Sequence, residues 1–137
     1  MSAPRLILAS QSKSRRKMLE AAGVPFEAVS PNVDEDALKD SLRAQGHGAR
    51  QLADALAEMK SLRLSARTPG ALVLGCDQTL EREDGTMIDK ATDRADAASI
   101  LSRLSGATHS LHSAAVLCEN GAPVWRHIET ARLTMRP

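Results

Sequence analysis

Aromatic side chains are almost missing from this chain: Phe26 and Trp125 are the only two, and there is no tyrosine. That excludes the stacked-base platform by which many proteins hold single-stranded nucleic acid. An excess of positive charge is missing as well, since 18 basic residues face 17 acidic ones for a net charge of +1, so a general nucleic-acid binder is not expected. Cysteine is scarce. Cys76 and Cys118 both lie in apolar runs and read as reduced core residues of an intracellular protein rather than a disulfide framework. No apolar run reaches the length of a membrane span, and Met1-Ser2-Ala3-Pro4-Arg5 leads straight into the first strand without a signal-peptide pattern. Both glycine-rich phosphate patterns, G-x-x-x-x-G-K-[ST] and G-x-G-x-x-G, are absent. What remains is 137 residues, enough for one domain (1–137) with a core of its own. The expected class is a cytoplasmic mixed α/β (α+β) domain that engages neither membrane nor nucleic acid.

The most informative stretch is residues 6–19, L-I-L-A-S-Q-S-K-S-R-R-K-M-L. Leu6, Ile7 and Leu8 mark a buried strand, Ser10-Gln11-Ser12 a polar turn, and Met18, Leu19 and Ala22 a helix that Gly23 stops. Lys13, Arg15, Arg16 and Lys17 crowd the start of that helix. A helix N-terminus carries unpaired N–H groups and the positive end of a dipole, so cations there are unfavourable. An anion at the same place removes the conflict, because N–H groups and cationic side chains converge on it. The competing reading is a solvated basic cluster.

Further along, residues 24–29 read as a short second strand led in by Pro25. Ser30-Pro31-Asn32 is turn chemistry that delivers Asp34, Glu35 and Asp36 to a helix beginning near Ala37. Asp34 and Asp36 suit helix capping, whereas Glu35 is a candidate ligand for a cation. After Gly46-His47-Gly48 a longer helix spans about 49–66, with Leu52, Leu56, Met59 and Leu62 as its apolar stripe. Lys60 lies on the flank of that stripe, placed either to snorkel to solvent or to reach over the core toward a cleft. Residues 71–76, A-L-V-L-G-C, form an uninterrupted apolar run, the mark of a central strand covered on both faces. Asp77 follows directly, where α/β proteins commonly place catalytic groups. Asp84-Gly85 between Thr79-Leu80-Glu81 and Thr86-Met87-Ile88 is a hairpin signal. Thr92 or Asp93 can cap a helix carrying Ala97, Ile100, Leu101 and Leu104, and two long strands joined at Asn120-Gly121 complete the chain. His109 and His112 fall on opposite faces of one strand and do not share a metal, and His47 and His127 have no evident partners.

Taken together, L-A-S-Q-S-K-S-R-R-K-M-L from Leu8, V-D-E from Val33, L-A-x-x-K ending at Lys60, G-C-D-Q at residues 75–78, Lys90, and L-S-G-A-T-H from Leu104 resemble the Maf family of nucleotide pyrophosphatases. The resemblance implies a two-lobed fold, similar to inosine triphosphatases, with a central mixed sheet and a cleft. It implies cleavage of a nucleoside triphosphate between its α and β phosphates, giving a monophosphate and pyrophosphate with Mg2+ or Mn2+. By the same resemblance Ser10, Ser12, Arg15 and Arg16 bind phosphate, while Glu35, Lys60, Asp77 and Lys90 are the acidic and basic groups of the cleft. Asp77 and Glu35 would hold the metal, with Asp77 serving either as ligand or as base. The S-x-S-x-x-R-R and D-Q patterns resemble the branch that acts on 7-methyl-GTP, rather than the one acting on dTTP and UTP, and mark Gln78 as a reader of the base edge. Lys90-Ala91 stands where the family usually has K-P. The pattern also stops at residues 130–137, before a last section that family members carry on the cleft wall. On that reading the chain is either a shortened member or a truncated one, and its alternative role is a catalytically impaired nucleotide-binding or homodimeric remnant.

Overall fold

A helix of seventeen residues, α3 (Ala49–Ser65), carries the surface on which the rest of the chain is assembled. Nine of its residues are buried, among them Leu52, Ala53, Leu56, Ala57, Ser61 and Leu64. Small side chains let a sheet lie close to it. Gly75 makes the closest approach, since a Cβ there would run into the Ala57 carbonyl and the Ser61 backbone.

The computed structural model describes residues 5–137. Before α3 come β1 (Leu6–Ala9), α1 (Lys13–Ala21), β2 (Glu27–Val29) and α2 (Glu35–Ala44). After it follow β3 (Leu72–Arg82), β4 (Met87–Ile88), α4 (Arg94–Leu104), β5 (Thr108–Glu119) and β6 (Ala122–Thr134). The strands make one mixed sheet in the order β2-β1-β3-β5-β6, with β4 added to β3. β1 runs parallel to β2 and β3, whereas β3, β5 and β6 form an antiparallel meander. The β5–β6 turn places Asn120 at φ 52° and Gly121 at φ 78°, the left-handed pair that a tight hairpin needs.

Alternation along the strands sends Val73, Gly75, Asp77 and Thr79 of β3 toward α3, together with Ala114, Val116 and Cys118 of β5. Two buried clusters result, one around Ile7, Ala9, Leu64, Ala71 and Val73, the other around Ala53, Ala57, Ala114, Val116 and Cys118. The opposite face of β3, β5 and β6 carries no such cover. There Cys76, Gln78, Ser113, Ala115, Trp125 and His127 line an open cleft.

Several boundaries depart from the sequence reading. β2 begins at Glu27, not at residue 24. α2 begins at Glu35, two residues early, with Asp34 as its cap accepting from the Ala37 N–H at 3.1 Å. Most consequentially, β3 does not end before Asp77 but runs on to Arg82, because β5 stays paired with it over its whole length. Cover on both faces is also incomplete, since Leu72, Leu74 and Cys76 are only half-buried.

Candidate active site at a gap in the sheet

β1 pairs with β3 only as far as Leu8 opposite Leu74, and β4 rejoins the same edge of β3 at Leu80. Asp77 lies inside the gap between them. It is a mid-strand residue, yet its edge neighbour has ended, so it still stands beyond the carboxyl end of the parallel strand β1. The expected placement therefore holds in space although not along the chain.

Lys60 rises from α3 into this gap with its side chain only 7 % exposed. Its ammonium donates to Asp77 Oδ1 at 3.1 Å and to the Cys76 carbonyl at 3.3 Å. Glu35 Oε1 lies 2.6 Å from the same nitrogen, brought there by the first turn of α2. The other oxygen, Asp77 Oδ2, is buried with no hydrogen-bond partner. Burial pushes the Asp77 carboxyl above the ordinary aspartate range, Lys60 pulls it back down, and Glu35 adds to the rise. The neighbouring Cys76 thiol is raised, chiefly by burial, and so stays protonated rather than acting as a nucleophile.

Across the gap, β1 leads into the polar turn and α1. The Ser12 N–H donates to Ser10 Oγ at 3.0 Å, and Ser12 Oγ accepts from the Arg15 N–H at 3.3 Å, so the two serines shape the turn and cap the helix. The first turn of α1 contains no acidic residue. Arg15 lines the cleft with Ser10 and Ser12, but Arg16 is exposed outside it. Arg16, which the resemblance also assigns to phosphate, is thus not among the residues gathered with Arg15 at the cleft. Lys90 lines the cleft, and the Gln78 amide donates to Ser113 Oγ at 2.9 Å on its floor.

Two cations were missed. Lys39 and Arg43 of α2 also line the cleft, where both approach Asp89 Oδ1, at 3.6 and 3.4 Å. Their spacing of four residues on a helix that starts at the candidate Glu35 was the available signal. His127, read as lacking partners, stacks on Trp125 with ring centroids 6.1 Å apart and meets Glu129 Oε1 at 2.9 Å. His112 is bridged between Thr130 Oγ1 at 2.9 Å and Glu81 Oε1 at 3.0 Å, while His109 is buried with Nδ1 unpartnered.

A divalent cation shared by Asp77 and Glu35 does not fit this geometry, because the Lys60 ammonium already occupies the position between them. Among the described residues no three His, Cys, Asp or Glu side chains gather into a metal site. The orphaned Asp77 Oδ2 does fit a single-carboxylate attachment, the mode in which Mg2+ completes its shell with phosphate oxygens and water.

The cleft measures about 1550 Å3, ample for a nucleotide-sized ligand. A mixed sheet backed by one helix, with a lysine–carboxylate pair facing a basic helix start, defines an α/β protein built around an anion cleft. The chain belongs to the Maf-like protein family, whose model matches residues 5–137. It is 51 % identical over 137 residues to a nucleoside triphosphate pyrophosphatase of Caulobacter vibrioides, covering all of this chain and 68 % of that protein. It is 49 % identical over 132 residues to a protein of the same name from Sphingopyxis alaskensis, covering 96 % of this chain and 67 % of that one. The chain thus spans about two thirds of the length of these curated relatives. In fold it is similar to a HAM1 protein from Coxiella burnetii, with a TM-score of 0.63 at 18 % identity, covering 96 % of this chain and 73 % of that one. Among the described residues no helix is long and apolar enough to cross a membrane.

Proposed function

We propose that the chain hydrolyses nucleoside triphosphates to a monophosphate and pyrophosphate in this cleft. The observation that carries the reading is Asp77: a buried carboxylate with one oxygen held by Lys60 and the other free, facing a cleft that Arg15 and the start of α1 also enter. Names of the relatives above support the same activity.

The triphosphate lies with its phosphates toward Arg15 and the N–H groups at the start of α1, where anions are stabilised. Asp77 Oδ2 accepts a proton from water attacking the α-phosphorus, while the Lys60 hydrogen bond fixes the carboxylate's orientation. A raised pKa suits this role, since a base closer to neutrality holds an abstracted proton more firmly. The bond from the α-phosphorus to the bridging oxygen breaks, and Lys90 with Arg15 takes up the charge developing on pyrophosphate. Mg2+ or Mn2+ held by Asp77 Oδ2 and the phosphates would supply charge neutralisation and a more acidic bound water; Asp77 is then ligand and not base. Gln78 and Ser113 present an amide and a hydroxyl on the cleft floor for a base edge, and 7-methyl-GTP is the proposed substrate ahead of dTTP and UTP.

Pyrophosphate release with 7-methyl-GTP, dTTP, UTP and GTP, with and without Mg2+ or Mn2+, tests the reading. Asp77→Asn is expected to lower turnover by about 10²–10⁴-fold. Arg15→Ala is expected to weaken nucleotide binding and to lower kcat/KM by roughly 10²-fold. Turnover that survives Asp77→Asn removes Asp77 from the chemistry, and nucleotide affinity without pyrophosphate release leaves a binding module in place of an enzyme.

A further inference from the structure

Lys39 and Arg43 stand on the stripe of α2 that begins at Glu35, one and two turns further on. A rise of about 1.5 Å per residue carries them about 6 and 12 Å along the axis from the carboxylate that meets Lys60. The stripe therefore starts beside Asp77 and follows the cleft wall toward the end of β4. There the two cations converge on a single atom: Lys39 Nζ lies 3.6 Å and Arg43 Nη2 3.4 Å from Asp89 Oδ1. Lys90, the next residue, lines the same cleft.

This arrangement exceeds what fastening α2 to the end of β4 requires. One carboxylate serves two cations, with a third beside it. Among the described residues Lys39 and Arg43 have no other ionic partner and Lys90 has none. Both contacts are long, only one oxygen takes part, and the Asp89 side chain is 61 % exposed, so water and salt screen the pairs and they contribute little. The Lys39 side chain, by contrast, is only 21 % exposed, folded into the cleft rather than extended to solvent. Two cations from successive turns aimed at one oxygen form a seat for an oxyanion, and its present occupant is weakly held.

We propose that Lys39 and Arg43 seat the terminal phosphates of a bound triphosphate, and that Asp89 is a competitor which those phosphates displace. The inference rests on the triphosphate hydrolysis proposed above and adds the cations that hold the departing pyrophosphate beside Lys90. A terminal phosphate brings about two negative charges and three acceptor oxygens against the single charge of Asp89. It can also meet the Arg43 guanidinium with two parallel hydrogen bonds. A nucleoside monophosphate, its one phosphate at Arg15 and the start of α1, does not reach the seat. Asp89 thereby sets a threshold that a chain of phosphates passes and the monophosphate product does not.

Titration calorimetry with inorganic pyrophosphate reads the seat without any turnover. Lys39→Gln combined with Arg43→Gln is expected to weaken pyrophosphate binding about tenfold, and Asp89→Asn to tighten it about fivefold, as removal of an exposed competing ion pair allows. Affinity for guanosine monophosphate should be the same in every variant. The triple variant separates competition from a general loss of negative charge. With Lys39 and Arg43 gone, Asp89→Asn should have no further effect, because Asp89 acts only by occupying them. A tightening that persists in the triple variant, pyrophosphate binding unchanged by the double substitution, or an equal loss for guanosine monophosphate would each overturn the proposal. The expected pattern in a chain that releases no pyrophosphate from any triphosphate would uphold the seat and remove the hydrolytic reading alone.

Discussion

Asp77 bears two opposing influences that a single substitution separates. Burial raises its pKa and Lys60 lowers it, with burial the larger, so the folded chain holds the Asp77 proton more tightly than the unfolded chain does. That contribution favours the fold fully below the ordinary aspartate pKa and is lost as pH rises through the raised value. At neutral pH the ionised carboxylate therefore opposes folding. Asp77→Asn should melt at or above the wild-type temperature at pH 7, and the difference should close near pH 4. Thermal melts at the two pH values check this, and an Asn variant that melts lower at pH 7 would show that the Lys60 pair outweighs burial. Lys60→Met acts oppositely: it leaves Asp77 and Glu35 facing each other without a cation and should cost about 3 kcal/mol in a denaturant titration. Sequence alone marked Glu35, Lys60 and Asp77, because each breaks an apolar or capping pattern at a distinct place. It did not show that Lys60 stands between the other two. That follows from how far α3 sinks onto β3, a distance no residue pattern encodes. Which cation of residues 13–17 lines the cleft was not legible for a related reason, since four cations in five residues look equivalent until the helix is turned to face something.

At the scale of elements, the site depends on the contact between α3 and β3. Ser61 Oγ donates to the Val73 carbonyl at 2.6 Å, Thr79 Oγ1 donates to the Ala49 carbonyl at 2.8 Å, and Gly75 lies between Val73 and Thr79 on the strand, with no room for a Cβ beside Ala57 and Ser61. A methyl group at Gly75 would fall far inside van der Waals contact with the Ala57 carbonyl oxygen, so helix and strand must separate. Gly75→Ala is expected to destabilise the fold by about 3 kcal/mol, at the upper end of typical overpacking. In whatever fraction folds, the wider spacing should lower turnover by drawing Lys60 away from Asp77. Equilibrium urea unfolding measures the first effect and pyrophosphate release the second; a variant of wild-type stability would mean that α3 is free to shift. The helices and the two hairpins were legible because capping residues, Asn120-Gly121 and Asp84-Gly85 are local signals. The length of β3 was not. Its second half, Asp77 to Arg82, is polar on one face and belongs to a strand only because β5 and β4 flank it.

Across the whole molecule, packing is unequal. α3 buries nine residues against the sheet, whereas α1 and α2 bury none and α4 buries only Leu104. Met18 of α1 is 63 % exposed and Leu101 of α4 58 % exposed, and both line the cleft with their apolar sides unmatched. Helices held by so little buried surface open locally at small free-energy cost, while strands and helices at the core open only with the whole fold. Amide exchange should therefore be slow in α3, β3 and β5 and fast in α1, α2 and α4. Arg15, Lys39 and Arg43, the cleft-lining cations, all belong to the weakly packed helices, and Asp77 and Lys60 belong to the firm core. A triphosphate bound between the two sets ties the loose helices to the rigid one, so its stabilisation should appear where packing is poorest. At a nucleotide concentration of 100 times Kd the fold gains about 2.7 kcal/mol. Exchange in α1 and α2, fast without ligand, should slow by up to about 100-fold, the same factor by which α3 slows through global unfolding. Hydrogen–deuterium exchange with and without a non-hydrolysable nucleotide measures this, and protection confined to β5 and β6 would place the ligand elsewhere in the cleft.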